Sequence, residues 1–139
     1  ELISQSIDMS SVSETEDITL SFRYAYRTRP SAGYERLKVF VSKDCGEEWS
    51  QKKTLGGNQL GSDVSNTSWY PTSATDWKTV HVTNINESFY TSNFRMRFRF
   101  EGEGGNNIYL DDINLYTGGP SDEIVAGISE NLQEISLNI

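Results

Sequence analysis

Eight residues, Ser42 to Trp49 (SKDCGEEW), hold the densest run of chemically capable side chains in the sequence. Asp44 is a short carboxylate that accepts backbone N–H bonds, Gly46 tolerates positive φ, and Trp49 is placed to fold back over the corner. These three residues therefore read as a structural turn. The acids Asp44, Glu47 and Glu48 around Cys45 work against a thiolate nucleophile. A second cluster, Glu101, Glu103, Asp111 and Asp112, offers the acid and base of glycoside hydrolysis, provided that two carboxyl groups face one groove roughly 5 to 9.5 Å apart. The same acids beside Asn106 and Asn107 also suit a hard cation that wants six to eight oxygens, which points to calcium.

Strict alternation in Tyr109-Leu110-Asp111-Asp112-Ile113-Asn114-Leu115 puts Asp111 on the face of Ile113 and Leu115, so its carboxylate is expected to point inward. A buried carboxylate must be paired, hydrogen-bonded or bound to metal. Calcium held by Asp111 with Glu103, Asn106 and Asn107 is one solution, and Asp111 capping the amides of a nearby loop is the other. Trp69, Tyr70 and Trp77 form a carbohydrate platform if exposed as a patch, whereas rings flanking Pro71 also serve to staple a long loop. The stripe Arg95, Arg97, Arg99 is balanced by cross-strand acids or recognises an anionic ligand. His81, the one histidine, alternates with Val80 and Val82 and is expected to sit exposed on a strand. That leaves little for a histidine-dependent triad or an HExxH zinc site. GEGGNN lacks the Lys and the following helix of a phosphate loop.

Strands must position these groups. Ile18, Leu20, Phe22, Tyr24 and Tyr26 alternate with polar or small residues, and Leu37, Val39 and Val41 do the same. Val80 and Val82 mark a third strand, Phe94, Met96, Phe98 and Phe100 a fourth, and NIYLDDINLY a last one before Gly118-Gly119-Pro120. Several strands without strongly helical windows predict an all-β, antiparallel β-sandwich over residues 1–116. Residues 117–139 lose the aromatics and read as an acidic linker or docking tail, with a short helix around Ser129 to Glu134 or an added strand near the end.

At 139 residues the chain has room for one domain. Its net charge of -8 repels a phosphate backbone, so nucleic acid is not an expected partner. No apolar run reaches the roughly 20 residues of a membrane helix. The single cysteine makes no internal disulfide. The start at Glu1, without an initiator Met or signal peptide, reads as a fragment or processed product.

Ser-x-Asp-x-Gly-x-x-Trp is also the spelling of the Asp-box of sialidase-type propellers. It occurs once here, without the repetition a propeller requires. The series LKVFVSKDCGEEW, the Trp69-Tyr70-Pro71 loop with Asp76-Trp77, and FRMRFRFEGEGGNNIYLDDINL resemble MAM-like jelly-roll domains of bacterial proteins exported by type IX secretion, often beside pappalysin-type metallopeptidases. YLDDINL is similar to the last strand of galactose-binding-like and carbohydrate-binding jelly rolls, in which the first Asp commonly joins a structural calcium site; this resemblance implies the same for Asp111. The tail GISENLQEISLNI resembles the lead into a type IX sorting domain. The expectation is a non-catalytic accessory domain of a secreted or cell-surface protein, calcium-stabilised, binding glycan or protein or spacing neighbouring domains. A small carboxylate-dependent glycan-active enzyme, and a structural domain packing on a metallopeptidase, are the alternatives.

Overall fold

The computed structural model describes residues 1–123 and, as backbone, 134–136. The chain is an all-β, antiparallel sandwich of two sheets. Its strands are β1 (Leu2–Ile3), β2 (Ile18–Ala25), β3 (Arg36–Ser42), β4 (Ser50–Gly56), β5 (Trp77–Ile85), β6 (Arg95–Glu101), β7 (Tyr109–Thr117) and β8 (Glu134–Ser136). One sheet runs in the order β1-β6-β3-β4 and the other β5-β2-β7-β8. The chain crosses between them at the β1–β2, β2–β3, β4–β5, β5–β6 and β6–β7 connections, the winding of a jelly roll.

The predicted apolar faces meet in the middle. Ile18, Leu20, Phe22, Tyr24 and Tyr26 are buried against Leu37, Val39, Val41, Phe94, Met96 and Phe98. Phe22 and Phe98 cross edge to face with centroids 5.1 Å apart, an arrangement that suits the ring quadrupoles. β4 is not marked by alternation because SQKKTLG is a polar edge strand, and lysines on an edge discourage pairing with another chain. β8 lies on β7, opposite Asn114, Leu115 and Tyr116. Residues 134–136 thus form the added strand expected as one alternative near the end, and Glu134 begins it. The rest of the proposed helix at 129–133, and the docking of the apolar side chains from Ile124 onward, lie outside the described residues.

β7 departs from the simple period. Ser21 pairs with Asn114 and Arg23 with Asp111, so two steps along β2 oppose three along β7. The extra residue is a β-bulge in which Asp112 adopts φ of 50°, a conformation that short polar residues tolerate best. The bulge restores Ile113 and Leu115 to the core and turns Asp111 out of it. Asp111 is exposed, against the expectation from strict alternation.

Candidate functional site

Three connections gather at one end of the sandwich. Ala25 pairs with Trp77 and Tyr109, and Arg36 pairs with Gly56 and Glu101. Loops 26–35, 57–76 and 102–108 therefore leave the strands side by side. Between the first two lies an open cleft of 370 Å³, bordered by Arg29, Glu35, Asn58, Ser62 and Val64. Binding surfaces on a sandwich are built from such loops, because the strands beneath hold them in place.

Glu35 is the one buried carboxylate among the described residues, at 3% exposure. Its Oε2 accepts the amides of Glu103 at 2.8 Å and Gly105 at 3.1 Å, and its Oε1 accepts the Tyr26 hydroxyl. This satisfies a charge that would otherwise be costly to bury. Burial first, and then the Glu35 carboxylate, push the Tyr26 hydroxyl up to about 12. The sequence signal for this clasp was the acid at the head of ERLKVFVS together with Gly104-Gly105. A glutamate at a strand start ordinarily faces water, so the sequence alone does not mark this one as buried.

Asn106 is also buried, and its amide is fully engaged. Nδ2 donates to the carbonyl of Arg27 at 3.1 Å, and Oδ1 accepts from Arg29 Nε at 3.1 Å. It thereby joins the β6–β7 loop to the β2–β3 loop. Of the four expected calcium ligands, Asn106 is buried and the other three are exposed. Asp111 is exposed on β7 with Oδ1 accepting the Asp112 amide at 2.8 Å, Asn106 faces a guanidinium that repels a cation, and Glu103 and Asn107 are exposed. No group of three or more His, Cys, Asp or Glu among the described residues is placed to hold a metal ion. The outward turn of Asp111 and the contact of Asn106 with Arg29 argue against a calcium shared by these four residues.

The aromatic residues separate into two roles. Trp69 is half-buried, with Arg27 over its ring at 5.1 Å and Tyr109 edge-on at 6.2 Å. Asp76 holds the following stretch, accepting the amides of Thr72 at 2.9 Å and Ser73 at 3.0 Å, and these bonds with Arg27 nearby lower its pKa. Trp77 is half-buried at the start of β5. Tyr70 remains exposed at 66%, and so does Tyr34 at 60%, whose ring lies against Gly56 and Gly57 beside the cleft. Tyr34 was not among the expected ring contacts because nothing in RPSAGYE distinguishes an exposed ring from a buried one.

The SKDCGEEW segment is a hydrogen-bonded corner. Asp44 Oδ1 accepts from Ser42 Oγ at 2.7 Å and the Glu48 amide at 2.9 Å, and the Gly46 amide donates to Ser42 Oγ at 2.9 Å. The bond from the Glu48 amide and then that from Ser42 lower the pKa of Asp44. Gly46 has φ of 89° and a Cβ there would meet the Trp49 ring at 3.0 Å. Cys45, at φ of 59°, is exposed with Ser6 Oγ 3.4 Å from its sulfur.

The acids considered for hydrolysis are divided between the sheets. Glu101 pairs with Lys38 at 3.0 Å and Arg36 at 3.2 Å on the outer face of one sheet, and Asp112 lies 3.9 Å from Arg23 on the outer face of the other. They do not share a groove. His81, expected as a simply exposed strand residue, is engaged at both ring nitrogens. Ser21 Oγ lies 2.6 Å from Nδ1, and Asp122 Oδ1 lies 2.8 Å from Nε2. Ser21 also meets the Tyr116 hydroxyl at 2.7 Å. The three residue types are those of a hydrolytic triad, but Ser21 is 0% exposed and a substrate has no route to it. The chain of bonds pins residues 118–122 over the sheet, together with Thr19 Oγ1 donating to the Gly118 carbonyl at 2.7 Å.

The fold and this loop end define an all-β sandwich domain with an open cleft. No family model, curated protein or solved structure matches the chain significantly. No described helix is long and apolar enough to cross a membrane.

Proposed function

We propose that this domain is a non-catalytic binding module of a secreted or cell-surface protein, and that its loop end takes a glycan. The observation that carries this reading is the 370 Å³ cleft between loops 26–35 and 57–76, whose buried wall residue Glu35 is already held by hydrogen bonds. Preorganised loops lose little entropy on binding, and open clefts with a few polar groups are the usual form of a ligand site. Tyr34, whose ring touches Gly57 of the cleft wall and has Arg36 5.5 Å from its centroid, is still 60% exposed and leaves aromatic surface for the C–H groups of a sugar. The side chains of Arg29, Asn58 and Ser62 along the wall supply donors and acceptors for hydroxyl groups. The MAM-like resemblance supports an accessory role beside other domains of a longer chain.

Calorimetry and glycan arrays on the purified domain test the reading. A bound glycan whose affinity falls at least about tenfold in Tyr34→Ala, with an unchanged unfolding midpoint, supports it. Binding that survives Tyr34→Ala and Asn58→Ala together, or an array without a ligand, removes the loop end as a glycan site.

A further inference from the structure

A second surface lies on the outer face of the β1-β6-β3-β4 sheet. The chain carries a net charge of -8, yet Arg36 and Lys38 of β3 and Arg95, Arg97 and Arg99 of β6 all project from this face against two acids, Glu1 and Glu101. Each acid serves two cations. Glu1 Oε2 lies 2.7 Å from Arg99 Nε and 3.7 Å from Arg97 Nε, and Glu101 bridges Arg36 and Lys38. The register sets Lys38 directly opposite Arg99, and Arg97 and Arg95 opposite the neutral Phe40 and Ser42. Like charges facing across a ladder cost stability, which a bound anion would relieve.

Arg97 is unusually fixed. Its guanidinium lies 4.3 Å from the Phe40 ring centroid and 4.5 Å from that of Trp49, and its side chain is 13% exposed. Its Nε is buried without a hydrogen-bond partner. A guanidinium held by two rings keeps its planar fork oriented for a carboxylate.

We propose that this face docks an extended acidic polypeptide segment with carboxylates at alternate residues. Arg95, Arg97 and Arg99 repeat every second residue along β6, about 6.8 Å apart, which is also the spacing of side chains on one face of an extended peptide. Each guanidinium then meets one carboxylate, and bidentate pairing gives the contact its register. A polysaccharide finds less here, because the ring faces of Phe40 and Trp49 are turned to arginine rather than free for a sugar. A nucleic acid meets the same cations but extends into the field of a strongly acidic protein.

Fluorescence anisotropy of a labelled alternating Asp-Ser peptide tests the inference, with an equally charged peptide whose aspartates are contiguous, chondroitin sulfate and a single-stranded oligonucleotide as competitors. The alternating peptide should bind most tightly, weaken with salt, and lose about tenfold or more in Arg95→Glu and Lys38→Glu. Arg97→Lys keeps the charge but loses the fork, and should erase the preference for alternating over contiguous acids. Unfolding midpoints of all three variants show that they fold, and Asn58→Ala should leave this binding intact, which separates it from the loop end. Tighter binding of either competing polymer, no peptide binding, or indifference to Arg95→Glu overturns the proposal.

Discussion

The amide of Gly105 donates to Glu35 Oε2 at 3.1 Å, and a Cβ at position 105 would overlap the Glu35 carboxylate. Only glycine lets this backbone approach so closely. Gly105→Ala should therefore destabilise the fold by about 2 to 4 kcal/mol, through displacement of a buried charge from its donors. Glu35→Ala, which strands the Tyr26 hydroxyl and two amides, should cost a similar amount, and Glu35→Gln distinctly less because an acceptor remains. Denaturant unfolding measures all three, and a Gly105→Ala protein as stable as the parent would remove the clasp as the anchor of the loop end.

Tyr26 reports the same clasp from its other side. Its folded pKa is raised to about 12 from an ordinary value of 10.0, so the stability it contributes is fully present below pH 10.0 and is lost as pH rises towards 12. Burial raises Tyr24 and Tyr90 as well, so ultraviolet titration should show several late-ionising tyrosines, and Tyr26→Phe should reduce the amplitude of the late phase by one tyrosine. A late phase of unchanged amplitude in Tyr26→Phe would assign it elsewhere.

Asp112 behaves in the opposite sense to a stabilising carboxylate. Burial first and then Asp111 raise its pKa, against the lowering effect of Arg23. The folded state thus binds its proton more tightly than the unfolded state, and stability declines as pH rises from 3.8 through the raised value. Asp112→Asn keeps a residue that accepts the φ of 50° and removes the charge. It should stabilise the protein at neutral pH by roughly a few tenths of a kcal/mol, since the side chain is 41% exposed and water screens it. The gain should vanish in acid; a gain independent of pH would implicate something other than the charge.

Calcium gives a direct check on the bulge. An ion at about a hundred times its Kd would add roughly 2.7 kcal/mol and move the unfolding midpoint by several degrees. With Asp111 turned outward and Asn106 engaged by Arg29, the midpoint should be the same in calcium and in chelator. A calcium-dependent rise that disappears in Asp111→Ala would reinstate Asp111 as a ligand.

The amino-acid order alone determined the sandwich, because alternation such as Ile18-Leu20-Phe22-Tyr24 is a local rule and each apolar face must be buried somewhere. The Ser42–Trp49 corner was legible for the same reason, since its bonds join residues a few positions apart. Tertiary structure decided the rest. One bulged residue at Asp112 reversed the direction of Asp111, a shift that composition does not reveal when the strand remains a strand. The burial of Glu35 and Asn106, and the joining of Ser21, His81 and Asp122, depend on which distant segments meet. A charge is buried only where donors from elsewhere in the chain arrive to satisfy it, and those arrivals are a property of the assembled loops.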